Sequence, residues 1–329
     1  MSDDRAPIFA ADADSIFAAA EILSNGGLVA FPTETVYGLG GDATNKAAIN
    51  NIYKTKGRPR SNPLIVHVKD TAAARAIVGF NENAEKLADA FWPGALTMVL
   101  KRLDGVLCAD VSAGLSTAAV RLPNHPVALA LLEQADLPIA APSANRAGRI
   151  SPTAAGHVVF SLPGPEQAGP QMVLDGGPCR VGLESTVIDL SGASPALLRP
   201  GGLAVEDIEA VVGPLNTHSP DVPDTQAKKS PGMMDRHYAP ELPLRLNAEH
   251  VGPGEVLLGF GPEAPQETMN LSPTGDLKEA AANLFAMIRS LDGPPFSAIA
   301  VMTIPETGLG RAINDRLRRA VMPEQAIND

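Results

Sequence analysis

Over the first 200 residues, short apolar runs alternate with stretches whose apolar residues recur at helical spacing. Glycine or proline marks most of the switches. Strands and helices in such succession must share one layered core, so the pattern confines this part to an α/β or α+β fold with a sizeable mixed sheet. Residues 12–25 predict a helix: an acidic cap region, then Ile16, Phe17, Ala20 and Leu23, then Gly26 as a stop. Residues 27–31 predict a buried strand, 45–55 a helix with Ala48, Ile49 and Ile52 on one face, 64–68 a strand and 81–91 a helix. Further strands are expected at 95–100, 118–122, 139–141, 172–174, 186–190 and 196–198.

The pattern breaks at 213–240. Pro214, Pro220, Pro223, Pro231 and Pro240 fall among polar residues without periodicity, which is the composition of a linker. Beyond it the alternation resumes, with strands at 255–259 and 298–304 and helices at 276–291 and 309–321. Leu277, Ala281, Leu284, Ile288 and Leu291 recur at spacings of four and three. The expected division is 1–212, a linker or lid at 213–241, and a small α/β unit at 242–329. Charge follows the same break. Residues 1–200 hold 16 basic and 19 acidic side chains and residues 201–329 hold 10 and 18, so the net −11 divides into −3 and −8.

With 45% hydrophobic and only 19% charged residues, disorder as the main state is excluded, and the core needs no disulfide or metal staple. A chain at −11 is a poor candidate for coating nucleic acid through bulk charge. Cys108 and Cys179 form no zinc spacing and fit a reducing cytosol. The acidic N-terminus lacks a signal-peptide apolar region and no apolar run reaches the ~18 residues of a membrane span, so a cytoplasmic location away from membranes is expected.

Three segments bring polar chemistry to expected strand and helix ends. Lys54, Lys56, Arg58 and Arg60 crowd seven residues at the end of a helix. They read either as solvated cations favoured by the helix dipole or as a polyphosphate clamp, in which lysine gives point charge and arginine a planar fork. The loop Pro32-Thr33-Glu34-Thr35-Val36-Tyr37-Gly38-Leu39-Gly40 follows a buried strand, where α/β sheets bind ligands, or it is a turn with local threonine hydrogen bonds. Ala140-Ala141-Pro142-Ser143-Ala144-Asn145-Arg146 does the same less specifically, or is a capped strand-to-helix turn. Two Gly-x-Gly-x-x-Ala strings, beginning at Gly38 and Gly259, suggest a dinucleotide-dependent oxidoreductase. Neither has strand, turn and helix in immediate succession, and the reading is set aside. No Walker loop, serine-hydrolase elbow or His-x-x-x-His pair occurs. His67, inside an apolar strand, reads first as a core histidine and second as a ligand contact.

Taken in order, Thr33-Glu34-Thr35-Val36-Tyr37-Gly38-Leu39, Lys56-Gly57-Arg58-Pro59, Asn62-Pro63-Leu64-Ile65-Val66-His67, Trp92-Pro93-Gly94 and Pro142-Ser143-Ala144-Asn145 resemble the YrdC-like family. Ser230-Pro231-Gly232-Met233 and His237-Tyr238-Ala239-Pro240 resemble the linker of its longer, two-domain form, the threonylcarbamoyl-AMP synthases. The resemblance implies a twisted mixed α/β sheet with a concave cavity, joined to a smaller Rossmann-like α/β domain. It implies synthesis of threonylcarbamoyl-AMP and pyrophosphate from L-threonine, bicarbonate or CO2, and ATP, with Mg2+ carried on the ATP phosphates. The product would pass to a separate transferase complex that modifies tRNA, without tight tRNA binding by this chain. A non-catalytic RNA-binding YrdC-like protein is the alternative. By resemblance, Lys56 and Arg58 serve the phosphates. Asn62, Thr117, Ser143, Ser151, Arg199 and Tyr238 complete the nucleotide site with Arg58. Thr35, His67, Arg121, Ala141 and Ser185 hold threonine.

Overall fold

A computed structural model describes residues 5–217 and 237–321. The first unit runs β1 (Ile8–Ala10), α1 (Ala13–Ser24), β2 (Val29–Phe31), β3 (Gly38–Asp42), α2 (Lys46–Lys56), β4 (Ile65–His67), α3 (Thr71–Arg75), β5 (Val78–Gly79), α4 (Glu82–Phe91), β6 (Leu96–Arg102), β7 (Thr117–Arg121), α5 (Pro126–Ala135), β8 (Ile139–Ala140), α6 (Ala155–Ser161), β9 (Met172–Asp175), β10 (Thr186–Asp189), β11 (Ala196–Arg199), α7 (Val205–Val212) and β12 (Asn216–Thr217). These strands form one 12-stranded sheet in the order β1-β9-β2-β3-β8-β4-β7-β6-β10-β11-β12, with β5 added beside β6. It is mixed as expected: β4 lies parallel to β7 and antiparallel to β8, while β6 lies antiparallel to β7 and parallel to β10.

The helices begin where their caps place them. The side chains of Asp12, Asn45 and Asn81 accept backbone N–H groups at the starts of α1, α2 and α4, satisfying donors that have no intrahelical partner. The main core fills the space between the sheet and α2, α4, α6 and α7, and a second cluster lies between α1, α5 and the sheet.

The first glycine string is strand, not loop. β3 pairs antiparallel with β2, Val29 opposite Gly40 and Phe31 opposite Gly38. A Cβ on Gly40 would lie 2.7 Å from Phe31 Cε1, and one on Gly41 would lie 3.0 Å from Leu28 Cδ2. These glycines are space for neighbours, not a phosphate turn.

The second unit contains β13 (Leu244–Arg245), β14 (Glu255–Gly259), β15 (Met269–Asn270), α8 (Leu277–Leu291), β16 (Ala298–Val301) and α9 (Leu309–Val321). Its sheet, β13-β16-β14-β15, is parallel throughout, with α8 and α9 supplying the apolar face over it. Within the expected linker, Asn216–Thr217 pairs with β11 and extends the large sheet. Residues 218–236, including Ser230-Pro231-Gly232-Met233 and most of the segment read as a lid, lie outside the described residues. No helix among the described residues is long and apolar enough to cross a membrane.

Candidate active site

Alternate residues of a strand share a face. Ile65 and His67 of β4 therefore lie on one side of the sheet, as do Thr117, Ala119 and Arg121 of β7. Ile65, Val99, Ala119, Val187 and Leu198 form a small buried cluster separate from the main cores. Beside it opens a cavity lined by Thr35 from the β2–β3 loop, His67, Arg121, Ala141 and Ser143 beyond β8, Glu184 and Ser185 before β10, and Arg58, Arg199 and Tyr238.

One end is organised around Arg121, which is 3% exposed. Its Nη1 donates to Thr35 Oγ1 at 2.8 Å and its Nε to Gly94 O at 3.1 Å. Its Nη2 lies 2.6 Å from Glu34 Oε1. That contact is an ion pair without hydrogen-bond alignment, so both Glu34 oxygens and Nη2 keep unused hydrogen-bonding capacity. Thr33 Oγ1 donates to Val36 O at 2.7 Å and accepts from Thr35, holding the loop in a local threonine turn. His67 meets the edge of Phe31, and its Nδ1 has no hydrogen-bond partner. Burial, followed by the nearby Arg121 charge, lowers its pKa to about 3, so the imidazole is neutral. Ser185 Oγ lies 2.7 Å from Thr97 Oγ1.

The other end collects cations held by neutral oxygens. Gly57, at φ +60, closes α2 in the left-handed region that favours glycine, and the chain reverses between Lys56 and Arg58. Lys56 Nζ donates to the backbone carbonyls of Ser143 and Asn145. Arg58 donates through Nε to Asn62 O at 3.0 Å, and through Nη2 to Asn62 Oδ1 at 2.6 Å and Pro63 O at 2.8 Å. Arg199 Nη2 donates to Ser185 O at 2.8 Å. Burial lowers Lys56 well below its ordinary value, Arg58 to about 10, and Arg199 in the same direction. The run of four cations thus splits: Lys56 and Arg58 are buried, while Lys54 and Arg60 face solvent.

The expected residues fall into three groups. Thr35, Arg58, His67, Arg121, Ala141, Ser143, Ser185, Arg199 and Tyr238 line the cavity together. Lys56, Asn62 and Ser151 are buried beside it, anchored by Ser143, Arg58 and Glu184 respectively. Thr117 lies half-buried on the Arg121 face, at the opposite end of β7. Sequence reasoning places Glu34 on the candidate loop as a carboxylate without giving it a ligand, and it passes over Glu184, although each is a lone charge in a run of uncharged residues. Among the described residues, no three His, Cys, Asp or Glu side chains converge as a metal site.

Residues 21–201 match the family model described as "Telomere recombination", which takes in the Sua5, YciO and YrdC proteins. Residues 203–321 match the model of the threonylcarbamoyl-AMP synthase C-terminal domain. The chain belongs to the two-domain threonylcarbamoyl-AMP synthase family. It is 41% identical over 320 residues to the synthase of Bacillus subtilis, covering 92% of this chain and 91% of that one. It is 41% identical over 324 residues to the synthase of Pyrococcus abyssi, covering 92% of each. The crystal structure of P. abyssi Sua5 complexed with L-threonine superposes with a TM-score of 0.85 at 39% identity, over 94% of this chain and 95% of that one. The synthase fold thus spans both units, in agreement with the architecture implied by the sequence motifs.

Proposed function

We propose that this chain is an L-threonylcarbamoyladenylate synthase, a nucleotidyltransferase that joins L-threonine, bicarbonate or CO2, and ATP. The observation that carries the reading is one cavity with two unlike ends: a self-neutralised Arg121–Glu34 end, and an end where Lys56 and Arg58 hydrogen-bond only to neutral oxygens.

Threonine sits at the first end. Arg121 turns its unused hydrogen-bonding capacity to the carboxylate, Thr35 and Ser185 offer hydroxyls, and the neutral His67 adds no competing charge. The carbonyl at Ala141 closes that side. The amine of threonine takes up the carboxyl carbon of bicarbonate, releasing water and leaving a carbamate. A carbamate oxygen then attacks the α-phosphorus of ATP, and the bond to pyrophosphate breaks. The protein supplies no nucleophile. It positions the two reactants and stabilises charge growing on the leaving group. Lys56 and Arg58 meet that charge, and the anion offsets the burial that depresses them. Asn62, Thr117, Ser143, Ser151, Arg199 and Tyr238 complete the nucleotide site. Mg2+ arrives on the ATP phosphates. Among the described residues that line the cavity, the carboxylate is Glu184, which is engaged by Ser151 and Arg316.

The product passes to a transferase complex that modifies tRNA, so the chain serves RNA through a small nucleotide rather than by gripping it. Residues 1–212 form the catalytic unit, with β12 as its last strand beyond that boundary, and 242–329 form the second unit. The deciding experiment incubates the protein with L-threonine, bicarbonate and ATP-Mg, scoring pyrophosphate and the adenylate by mass. Threonine-dependent release is expected, and it is lost in Lys56→Ala and Arg58→Ala. Full activity in both variants overturns the phosphate assignment, and no release by the unaltered protein overturns the function.

A further inference from the structure

Arg316 is the largest fully buried side chain among the described residues, at 1% exposure. It belongs to α9 of the second unit, yet it reaches the cavity of the first. Its Nε donates to Glu184 Oε2 at 2.8 Å, and its Nη1 donates to Asp315 Oδ2 at 2.5 Å. The other Glu184 oxygen accepts from Ser151 Oγ. The guanidinium carbon lies 4.8 Å from the centroid of the Tyr238 ring. Phe285 of α8 stacks on that ring at 5.6 Å and 25°. Two side chains of the second unit therefore hold Tyr238, whose φ of +65 is uncommon for a bulky residue and needs surrounding contacts to maintain it.

Burial drives the Glu184 pKa up, but Arg316, Arg199 and the Ser151 hydrogen bond outweigh it, so the carboxyl is charged. A charged carboxylate on the wall of a polyphosphate site is a liability. Left without a partner, it would turn to the cations meant for the substrate and repel the phosphates. Arg316 engages it from behind, through a fork that only the second unit supplies.

We propose that Arg316 is a positioning residue of the nucleotide site. It holds Glu184 in a buried ion pair, so that the carboxylate is not left to the substrate's cations, and it fixes Tyr238 against the cavity. This rests on the adenylate-synthase reading. It assigns the second unit a part in nucleotide binding; no hydrogen bond or ion pair among the described residues joins Arg316 to Thr35, His67 or Arg121.

The test measures binding of a non-hydrolysable ATP analogue and of L-threonine separately, by calorimetry, on the full chain. Arg316→Gln frees the carboxylate, and analogue affinity falls by about tenfold or more, as for a buried charge pair broken on one side. Threonine affinity stays within about twofold, because that end shares no partner with Arg316. The double variant Glu184→Gln/Arg316→Gln removes the freed charge and recovers analogue affinity to within about threefold of the unaltered protein. A purely structural role predicts no such recovery and a parallel loss of both ligands. Arg316→Lys keeps the charge without the fork, and an intermediate weakening is expected. It serves as the second variant if Arg316→Gln does not fold. Unchanged analogue affinity in a folded Arg316 variant, parallel loss of both ligands, or failure of the double variant to recover overturns the proposal. Absence of threonine-dependent pyrophosphate release by the unaltered protein overturns the underlying reading instead, and this one with it.

Discussion

At the Arg121 end of the cavity, a buried guanidinium lies 2.6 Å from a buried carboxylate, and everything that holds it belongs to the first unit. At the Arg58 end, the buried cations hydrogen-bond to carbonyl and amide oxygens, and the carboxylate on that wall, Glu184, is held by a residue of the second unit. The contrast separates two ways of building an anion site. A fork already paired with Glu34 is rigid and close to neutral, suited to a small zwitterion. Cations held only by dipoles keep their charge for a polyanion, and burial raises the cost of that charge until the anion arrives.

The largest expected effect breaks the first end. Glu34→Ala leaves Arg121 buried without its counter-charge, and folding stability falls by about 3–5 kcal/mol, read from urea unfolding. Next, Arg58→Ala inverts the pattern. Pyrophosphate formation falls by about 10²–10³-fold, the scale of losing a group that stabilises transition-state charge, while threonine affinity is retained. Loss of both ligands together in Arg58→Ala would erase the distinction between the ends.

A pH series sharpens it further. His67 titrates near 3 in the folded protein against an ordinary 6.5. Between those values the unfolded chain binds a proton that the folded one refuses. This contribution to stability is whole above pH 6.5 and is lost as pH falls toward 3, by up to about 1.4 kcal/mol per pH unit. His67→Asn should flatten that slope. An unchanged slope would mean that other groups govern the acid limb. The smallest effect concerns the helix that delivers the cations. Asn45→Ala removes the cap of α2 and costs about 1 kcal/mol in thermal or urea unfolding, without shifting threonine affinity.

Much of this was legible where a local cause acts. Asp12, Asn45, Asn81 and Asp276 mark helix starts because their side chains cap the first turn within three residues. The helices 277–291 and 309–321 follow from apolar spacing alone. The motif order carried nine residues into one cavity. Strand β3 escaped because propensity reads side chains, and here the space belongs to Phe31, Ile139, Leu28 and Ile52 across the gap. Helix α5 escaped because its start is Pro126 with His125 as cap and its sequence is apolar nearly throughout, so no polar face sets the period. His67 was ambiguous for the same reason: an apolar strand looks alike whether its last residue faces a core or a cavity.

Arg316 was the hardest to find, since 132 positions separate it from Glu184. One clue was available. On α9, Ile313, Arg316, Leu317 and Ala320 share the helical spacing of a buried stripe, which places a charge where an apolar residue belongs.

At Gly182 the glycine has φ +73, and an added Cβ would lie 2.5 Å from Ala281 O and from the Cα of Ala282 in α8. Backbone meets backbone there, with no side chain to yield. The two units are thus matched parts in the manner of a machined joint. A valine at this place would act as a wedge that parts the units along the seam where Val36, Ile150 and Leu183 join the second core.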